Sequence, residues 1–223
     1  MIAINHPLVL RIDNDYDVLK SLIVDLPSLY IKLAKEIESK AKFEAELESE
    51  GDYDEYSTVY NSYNPVIESI SEVPNQTRCY ILAAIYAFFE RNLRKIWKEL
   101  KVIDYNKLSI NTKNISDYCN IPLEDNEILF QELMFLGLIR NNLSHGKLNN
   151  VDYWNELSEY VDSNPKLEMK EDEVSIIDNS FLIQELDLVN HFFRTVYNYN
   201  LVFKTKLYKF NEEKKTFEIS NIE

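Results

Sequence analysis

The stretch Tyr80-Ile-Leu-Ala-Ala-Ile-Tyr-Ala-Phe-Phe89 decides the fold class of this chain. Its residues are apolar nearly all round a helical wheel, which is typical of a helix buried on most sides. Polar residues return at once with Glu90 and Arg91. We therefore predict a long core helix over residues 75–100, against which the other elements pack.

Three further stretches have the composition of long helices. Residues 14–48 and 181–203 carry apolar residues at the three- and four-residue spacing of amphipathic helices. Pro27 lies in the first of them, and it either kinks that helix or opens a second one at its first turn. Residues 123–144 are hydrophobic nearly all round and precede Gly146, a residue that commonly ends helices.

The remaining segments are predicted to be short elements and connections. A hairpin is indicated where apolar residues alternate over residues 167–177 around the pair Glu171-Asp172. The other predictions are an extended lead-in (1–12), a long Tyr-rich loop (49–65), a polar connector (102–122), a short helix (153–161) and a tail (204–223) with a strand near residues 216–219.

Composition narrows the fold class. Three glycines and six prolines against 45% hydrophobic residues argue against a turn-rich β architecture and against disorder. The sequence therefore predicts a mainly α fold with a small β-hairpin elaboration. We expect an N-terminal extension (1–65) that packs on a helical domain (66–203), followed by a C-terminal tail (204–223).

Cysteine, histidine and glycine usage excludes several classes of protein. Cys79 and Cys119 are too few for a disulfide framework, and no apolar run is long enough to span a bilayer. The cysteines and histidines lie far apart in sequence, and no Gly-rich phosphate loop is present. We predict a cytoplasmic protein with reduced thiols, no cofactor, no metal and no membrane partner, although a carboxylate magnesium site is not excluded.

The net charge of −14 disfavours broad binding to nucleic acid. Excess negative charge repels a phosphate backbone at long range. Salt screens that repulsion within about 8 Å at physiological ionic strength, so a short, local RNA contact is compatible with the composition.

One segment places several polar side chains with possible catalytic roles close together in sequence: Arg140-Asn141-Asn142-Leu143-Ser144-His145-Gly146. If the helix continues to its end, Asn141 and His145 lie one turn apart on the same face. Arg140 interrupts an apolar stripe, where a guanidinium is costly unless it is paired or faces a polar cleft. That stripe contains Leu129, Leu133, Leu136 and Leu143.

Arg140-Asn141, three residues and His145 match the R-N-x-x-x-H motif, and the segment resembles that of HEPN domains. The similarity extends in pattern over residues 75–203. It implies a HEPN-like helical bundle and a ribonuclease of the kind found in anti-phage defence and in toxin-like stress responses. It also implies a homodimer with the motif at the interface, an RNA substrate, and an antitoxin or regulatory protein as a further partner. Some family toxins carry a tyrosine two positions after the motif histidine; here that position is Lys147, which favours a stand-alone nuclease.

The residue types fit metal-independent RNA cleavage. The adjacent 2′-hydroxyl attacks the phosphate, and an imidazole such as that of His145 suits the transfer of a proton to or from the reacting oxygens. Arg140 would stabilise the charge that grows on the phosphoryl oxygens. Asn141 would orient His145 or hold a phosphate oxygen. Because one histidine cannot easily act as both acid and base, two copies would divide the roles.

Other residues are predicted to support this site. Glu90 would restrain Arg140, or else pair with Arg94 four residues on. Ser144 lies beside His145 in the motif. The candidate substrate-binding residues are Arg91, Arg94 and Lys147, although Arg91 and Arg94 also fit an ordinary solvated helix face.

Two alternatives stay open from the residues alone. In the first, Arg140 pairs with a core acid, the asparagines help to end the helix, and His145 caps its carbonyls. In the second, the chain is a non-catalytic helical interaction module or dimeric scaffold. Its acidic strip, residues 44–55, would then bind a basic partner or mimic nucleic acid.

Overall fold

The structure, a computed structural model, describes residues 2–4, 6–203, 206–211 and 216–220. Within these ranges it contains seven α-helices, which confirms the mainly α prediction. They are α1 (Pro7–Glu48), α2 (Tyr53–Ser62), α3 (Asn64–Glu99), α4 (Thr112–Cys119), α5 (Glu127–His145), α6 (Val151–Ser163) and α7 (Asn179–Tyr199). The strands are β1 (Ile2–Ile4), β2 (Leu167–Lys170), β3 (Glu173–Ile176), β4 (Lys206–Asn211) and β5 (Thr216–Ser220).

The chain divides into two compact units that both use separated segments. Unit 1 comprises Met1–Leu19, Ala84–Asn141 and Gln184–Glu223, and unit 2 comprises Lys20–Ala83 and Asn142–Ile183. The divisions fall inside α1, α3, α5 and α7. The segment predicted as an N-terminal extension therefore contributes residues to both units.

Aromatic residues of α3 and α7 form the core of unit 1. Phe88 meets Phe193 edge to face with ring centroids 5.6 Å apart, and Phe89 meets Phe192 at 5.4 Å. The core helix is thus confirmed, but it is not buried on every side, because its alanines at 84 and 87 are exposed. Aromatic contacts of this geometry add about 0.5–1.5 kcal/mol each to the burial of area.

Unit 2 contains the predicted hairpin. Strands β2 and β3 pair antiparallel, with Leu167 opposite Ile176 and Lys170 opposite Glu173. Both residues of the intervening turn, Glu171 and Asp172, have positive φ, of 48° and 67°. A two-residue turn with positive φ at both positions matches the right-handed twist of the two strands that it joins. The turn therefore favours close pairing of β2 and β3.

Two sequence predictions about the N-terminal half are wrong. The lead-in is extended only at β1, because Pro7 opens α1, and a first-turn proline loses no helical hydrogen bond. Residues 49–65 are not a long loop, since they contain α2 and the start of α3. Asp52 caps α2 by accepting hydrogen bonds from the amides of Asp54 and Glu55 at 2.8 and 3.1 Å.

Other elements were placed differently from the prediction. Of the two alternatives for Pro27, the start of a second helix is excluded, because α1 continues through this residue. Helix α4 occupies part of the stretch predicted as a connector. The predicted strand near residues 216–219 is confirmed as β5. It belongs to a three-stranded sheet in the order β1-β4-β5, in which Ile2 is opposite Tyr208. Of the helices in the described ranges, none is long and apolar enough to cross a membrane.

Candidate active site

Helix α5 carries the candidate motif and remains helical as far as the motif histidine, His145. A 3-10 turn over Glu124–Asn126 leads into the helix, which runs from Glu127 to His145. Gly146 follows with φ of +70° and donates its amide to the carbonyl of Asn142 at 2.7 Å. A left-handed glycine of this kind ends a helix at low cost, which confirms the predicted stop signal. Asn141 and His145 therefore lie on the same face of one helix.

Asn142 ties the end of α5 to the hairpin of unit 2. Its side chain is fully buried and accepts the amide of Val174 at 2.7 Å. Its Nδ2 donates to the carbonyls of Asp172 at 2.9 Å and Gly146 at 3.1 Å. Every polar atom of this amide is thus engaged, as burial requires. The contact holds the chain that leaves His145, and the sequence alone did not indicate it.

Arg140 is half-buried and held in unit 1 by two contacts. Its guanidinium donates to Oδ1 of Asn141 at 2.9 Å, and its Cζ lies 5.5 Å from the centre of the Tyr86 ring. A guanidinium within about 6 Å of a ring centre gains a cation–π attraction. The sequence places this charge on an apolar stripe, where it needs a partner. The amide of Asn141 and the ring of Tyr86 provide that partner.

Tyr86 is the residue of this site that the sequence prediction did not single out. Gly137 lies against its ring, and a Cβ at that position would be 3.4 Å from Tyr86 Cε2, an ordinary van der Waals distance. Burial raises the pKa of the Tyr86 hydroxyl, and the charge of Glu90 raises it further. The ring thus stays neutral beneath Arg140. No local signal in the sequence marks this residue, because it lies within an apolar run.

Glu90 does not serve as the predicted partner of Arg140. It forms an ion pair with Arg94 at 2.9 Å, which was the alternative considered from the sequence. Residues four apart on a helix are neighbours on its surface, so this pair needs no partner from another element. Arg94 also donates to the carbonyls of Tyr105 and Asn106 at 3.0 and 3.1 Å. This guanidinium therefore holds the connector and is a poor candidate for binding substrate.

The other predicted residues lie on the surface. Arg91 pairs with Asp15 at 2.8 Å. Lys147 lies 3.4 Å from Asp172, and its ammonium is 5.0 Å from the centre of the Trp154 ring. Ser144 and His145 are exposed at the end of α5. Such surface ion pairs are worth at most about 1 kcal/mol, so Arg91 and Lys147 can exchange partners readily.

Neither cysteine is suited to act as a nucleophile. Cys119 is buried, and burial raises the pKa of its thiol to about 12. Burial likewise raises the pKa of the Cys79 thiol, and the charge of Glu173 adds to the rise. We expect Cys119 to resist a thiol-specific disulfide reagent at pH 8, because only about one thiol in ten thousand is ionised there. Labelling in native buffer and in urea tests this. Fast labelling of Cys119 in the native protein would contradict it.

The polar groups of the last turns of α5 have complementary chemical properties. They offer a cation oriented by an amide, and an exposed imidazole one turn from that amide. These groups suit an anionic substrate that needs a proton transferred. The chain was compared with models of protein families, with curated proteins and with solved structures, and none of these comparisons found a match.

Proposed function

We propose that the chain is a metal-independent endoribonuclease whose active-site residues are Arg140, Asn141 and His145. The observation that carries the proposal is the order of these groups along α5. The guanidinium is held by Asn141 and Tyr86, and the imidazole is exposed where the helix ends. The match to the R-N-x-x-x-H motif of HEPN domains supports this choice of reaction. It also suggests a role in anti-phage defence or in a toxin-like stress response.

In this mechanism the RNA supplies its own nucleophile. The 2′-hydroxyl attacks the adjacent phosphorus, its proton passes to a base, and the 5′-oxygen leaves with a proton from an acid. His145 performs one of these transfers, since an imidazole exchanges protons near neutral pH. The products are a 2′,3′-cyclic phosphate and a 5′-hydroxyl.

Arg140 meets the negative charge that develops on the phosphoryl oxygens. Its orientation is already restricted by the hydrogen bond to Asn141 and by the ring of Tyr86, so less freedom is lost when the transition state forms. Binding of a phosphate would compete with the Asn141 contact. Asn141 would then be released to hold a phosphate oxygen or to orient His145.

One copy of the motif supplies a single imidazole. A second copy related by a twofold axis would supply the other, so we propose a homodimer in which the active site is shared. The exposure of His145 leaves it accessible to such a partner and to RNA. Arg91 and Lys147 are exposed cations that can each take a phosphate in place of a carboxylate.

Two acids of the acidic strip have structural roles within unit 2. Glu44 accepts a hydrogen bond from the hydroxyl of Tyr63, which lowers the pKa of its carboxyl and keeps it charged. Asp52 caps α2. The strip also keeps five exposed acids, so it retains the charge that the alternative function, binding of a basic partner, would need: Glu46, Glu48, Glu50, Asp54 and Glu55.

The direct test is incubation of the purified protein with RNA in EDTA, followed by mapping of the ends. We expect fragments with 2′,3′-cyclic phosphate and 5′-hydroxyl termini, as attack by the 2′-hydroxyl requires. Fragments with 5′-phosphate termini, or no cleavage by a folded protein under any condition tried, would reject the mechanism.

The substitution Arg140→Lys is expected to lower kcat by about 100-fold while KM changes little. Lysine keeps the charge but loses the planar, bidentate geometry. Arg194→Lys is the matched control, because Arg194 is exposed and pairs with Asp13 at 2.6 Å outside the motif. Equal rates for the two variants would show that Arg140 has only a structural role.

A further inference from the structure

Helix α1 carries an apolar stripe that the described part of the chain leaves uncovered. The buried residues Ile23, Ala41 and Ala45 mark its inward face. On another face, Leu29, Phe43 and Leu47 have 60%, 64% and 67% of their surface exposed, and Leu33 has 42%. Single exposed apolar residues are normal on a monomeric protein. These four, however, recur along one face of the helix as two pairs, Leu29 with Leu33 and Phe43 with Leu47, which indicates a binding surface.

The spacing of the row is that of a coiled coil. Its positions alternate at steps of four and three residues, which is the heptad pattern of a helix that pairs with another helix. Two central positions of the pattern are charged rather than apolar. We call six of these positions the α1 seam: Leu29, Leu33, Glu36, Lys40, Phe43 and Leu47. The same spacing continues before the seam at Leu26 and at Leu22, which is 38% exposed.

We propose that the α1 seam pairs with the same seam of a second copy of this chain, the two helices running antiparallel. In the register that places Glu36 opposite the second copy's Lys40, Leu33 lies opposite Phe43 and Leu29 lies opposite Leu47. The six positions thus pair with one another, and Leu22 and Leu26 lie beyond the paired segment. The paired segment is about 27 Å long at the rise of an α-helix.

Charge complementarity selects both the occupant and the register. A shift by one heptad would bury Glu36 and Lys40 against apolar residues, and a parallel pair would place Glu36 against Glu36; both arrangements are costly. In the proposed register, the flanking residues Lys32 and Glu46 also face each other across the contact. A chain whose seam is complementary to itself in this way fits a second copy.

The present partners of the two central charges do not prevent this pairing. Glu36 lies 3.8 Å from Lys32, and Lys40 lies 3.5 Å from Glu44, each pair being one turn apart on α1. Exposed pairs of this kind contribute only about 0.3–0.5 kcal/mol. Exchange of these contacts for contacts with the second copy therefore costs little.

The first test measures self-association of the full chain by sedimentation over a range of concentrations. We expect Leu29→Glu to raise the apparent Kd of self-association about 100-fold, because the new charge faces an apolar residue twice per contact. Ile31→Glu is the matched control: Ile31 is also exposed on α1, lies outside the seam and receives the same charge. A wild-type chain that stays monomeric at high concentration, or equal Kd values for both variants, would overturn the proposal.

The second test reverses the central charges and reports the register. Glu36→Lys and Lys40→Glu should each raise Kd about tenfold, since each places like charges opposite one another. The double variant Glu36→Lys/Lys40→Glu should return Kd to near the wild-type value. Additive weakening in the double variant would refute the antiparallel register. RNA cleavage is not a readout of either test. A monomeric wild-type chain would contradict both this inference and the shared active site, whereas equal Kd values for Leu29→Glu and Ile31→Glu in a chain that does dimerise would overturn this inference alone.

Discussion

The variant His145→Ala is expected to lose RNA cleavage by about 100- to 10,000-fold, which is the usual contribution of a positioned acid or base. The fold should be retained, because the imidazole is exposed at the end of α5 and packs against no core. The rate of cleavage in EDTA and the helical signal in circular dichroism measure the two effects separately.

His191→Ala provides the matched control for this result. His191 is likewise exposed on a helix, in α7, but it lies outside the motif. Its replacement should leave the rate unchanged. Full activity of the His145 variant, or an equal loss in both variants, would remove His145 from the mechanism. A contaminating nuclease would be recognised by the same comparison, since it would be insensitive to either change.

The largest effect on stability is expected for Asn142→Leu. Leucine has a similar size but cannot bind the amide of Val174 or the carbonyls of Asp172 and Gly146, which the asparagine now satisfies. Each buried group left without a partner costs about 1–3 kcal/mol, so the free energy of unfolding should fall by about 3 kcal/mol or more. Urea denaturation measures this loss.

Asn141→Leu is the informative comparison, because the neighbouring asparagine has a different role. It is half-buried, and its side chain accepts from Arg140. Its replacement should cost less than about 1 kcal/mol in stability. RNA cleavage should nevertheless fall, since Arg140 loses its orienting contact. A reversed pattern, in which Asn141→Leu unfolds the protein and Asn142→Leu does not, would contradict the assignment of these two roles.

Local patterns explain which elements could be predicted. The helices and the hairpin follow from apolar spacing and from turn residues, both of which act over a few positions. The prediction of a loop over residues 49–65 was wrong because it gave the polar composition of the segment more weight than the helical spacing of its tyrosines. Tyr56 and Tyr60 stack one turn apart on α2, and Asp52 caps the helix, so the helical signal was present in the sequence.

The candidate site was predictable only in part. The positions of Arg140, Asn141 and His145 on α5 follow from the motif and from Gly146 at the end of the helix. The sequence left the partner of Glu90 open, because its carboxylate could form an ion pair either with Arg94 on the same helix or with Arg140 on another. Tyr86 was hidden in an apolar run, where a tyrosine reads as another core residue.

By itself, the sequence determined where most of the length of the long helices lies, although not α2 or α4, where α5 ends, and which polar side chains that end carries. These features depend on backbone preferences and on periodicity, which act within a few residues of the chain. Only the tertiary structure decided that Asn142 binds the hairpin turn 30 residues away, that Tyr86 lies beneath Arg140, and that one apolar face of α1 is uncovered. A helical period shows which residues share a face, whereas burial and hydrogen bonding depend on what folds against that face.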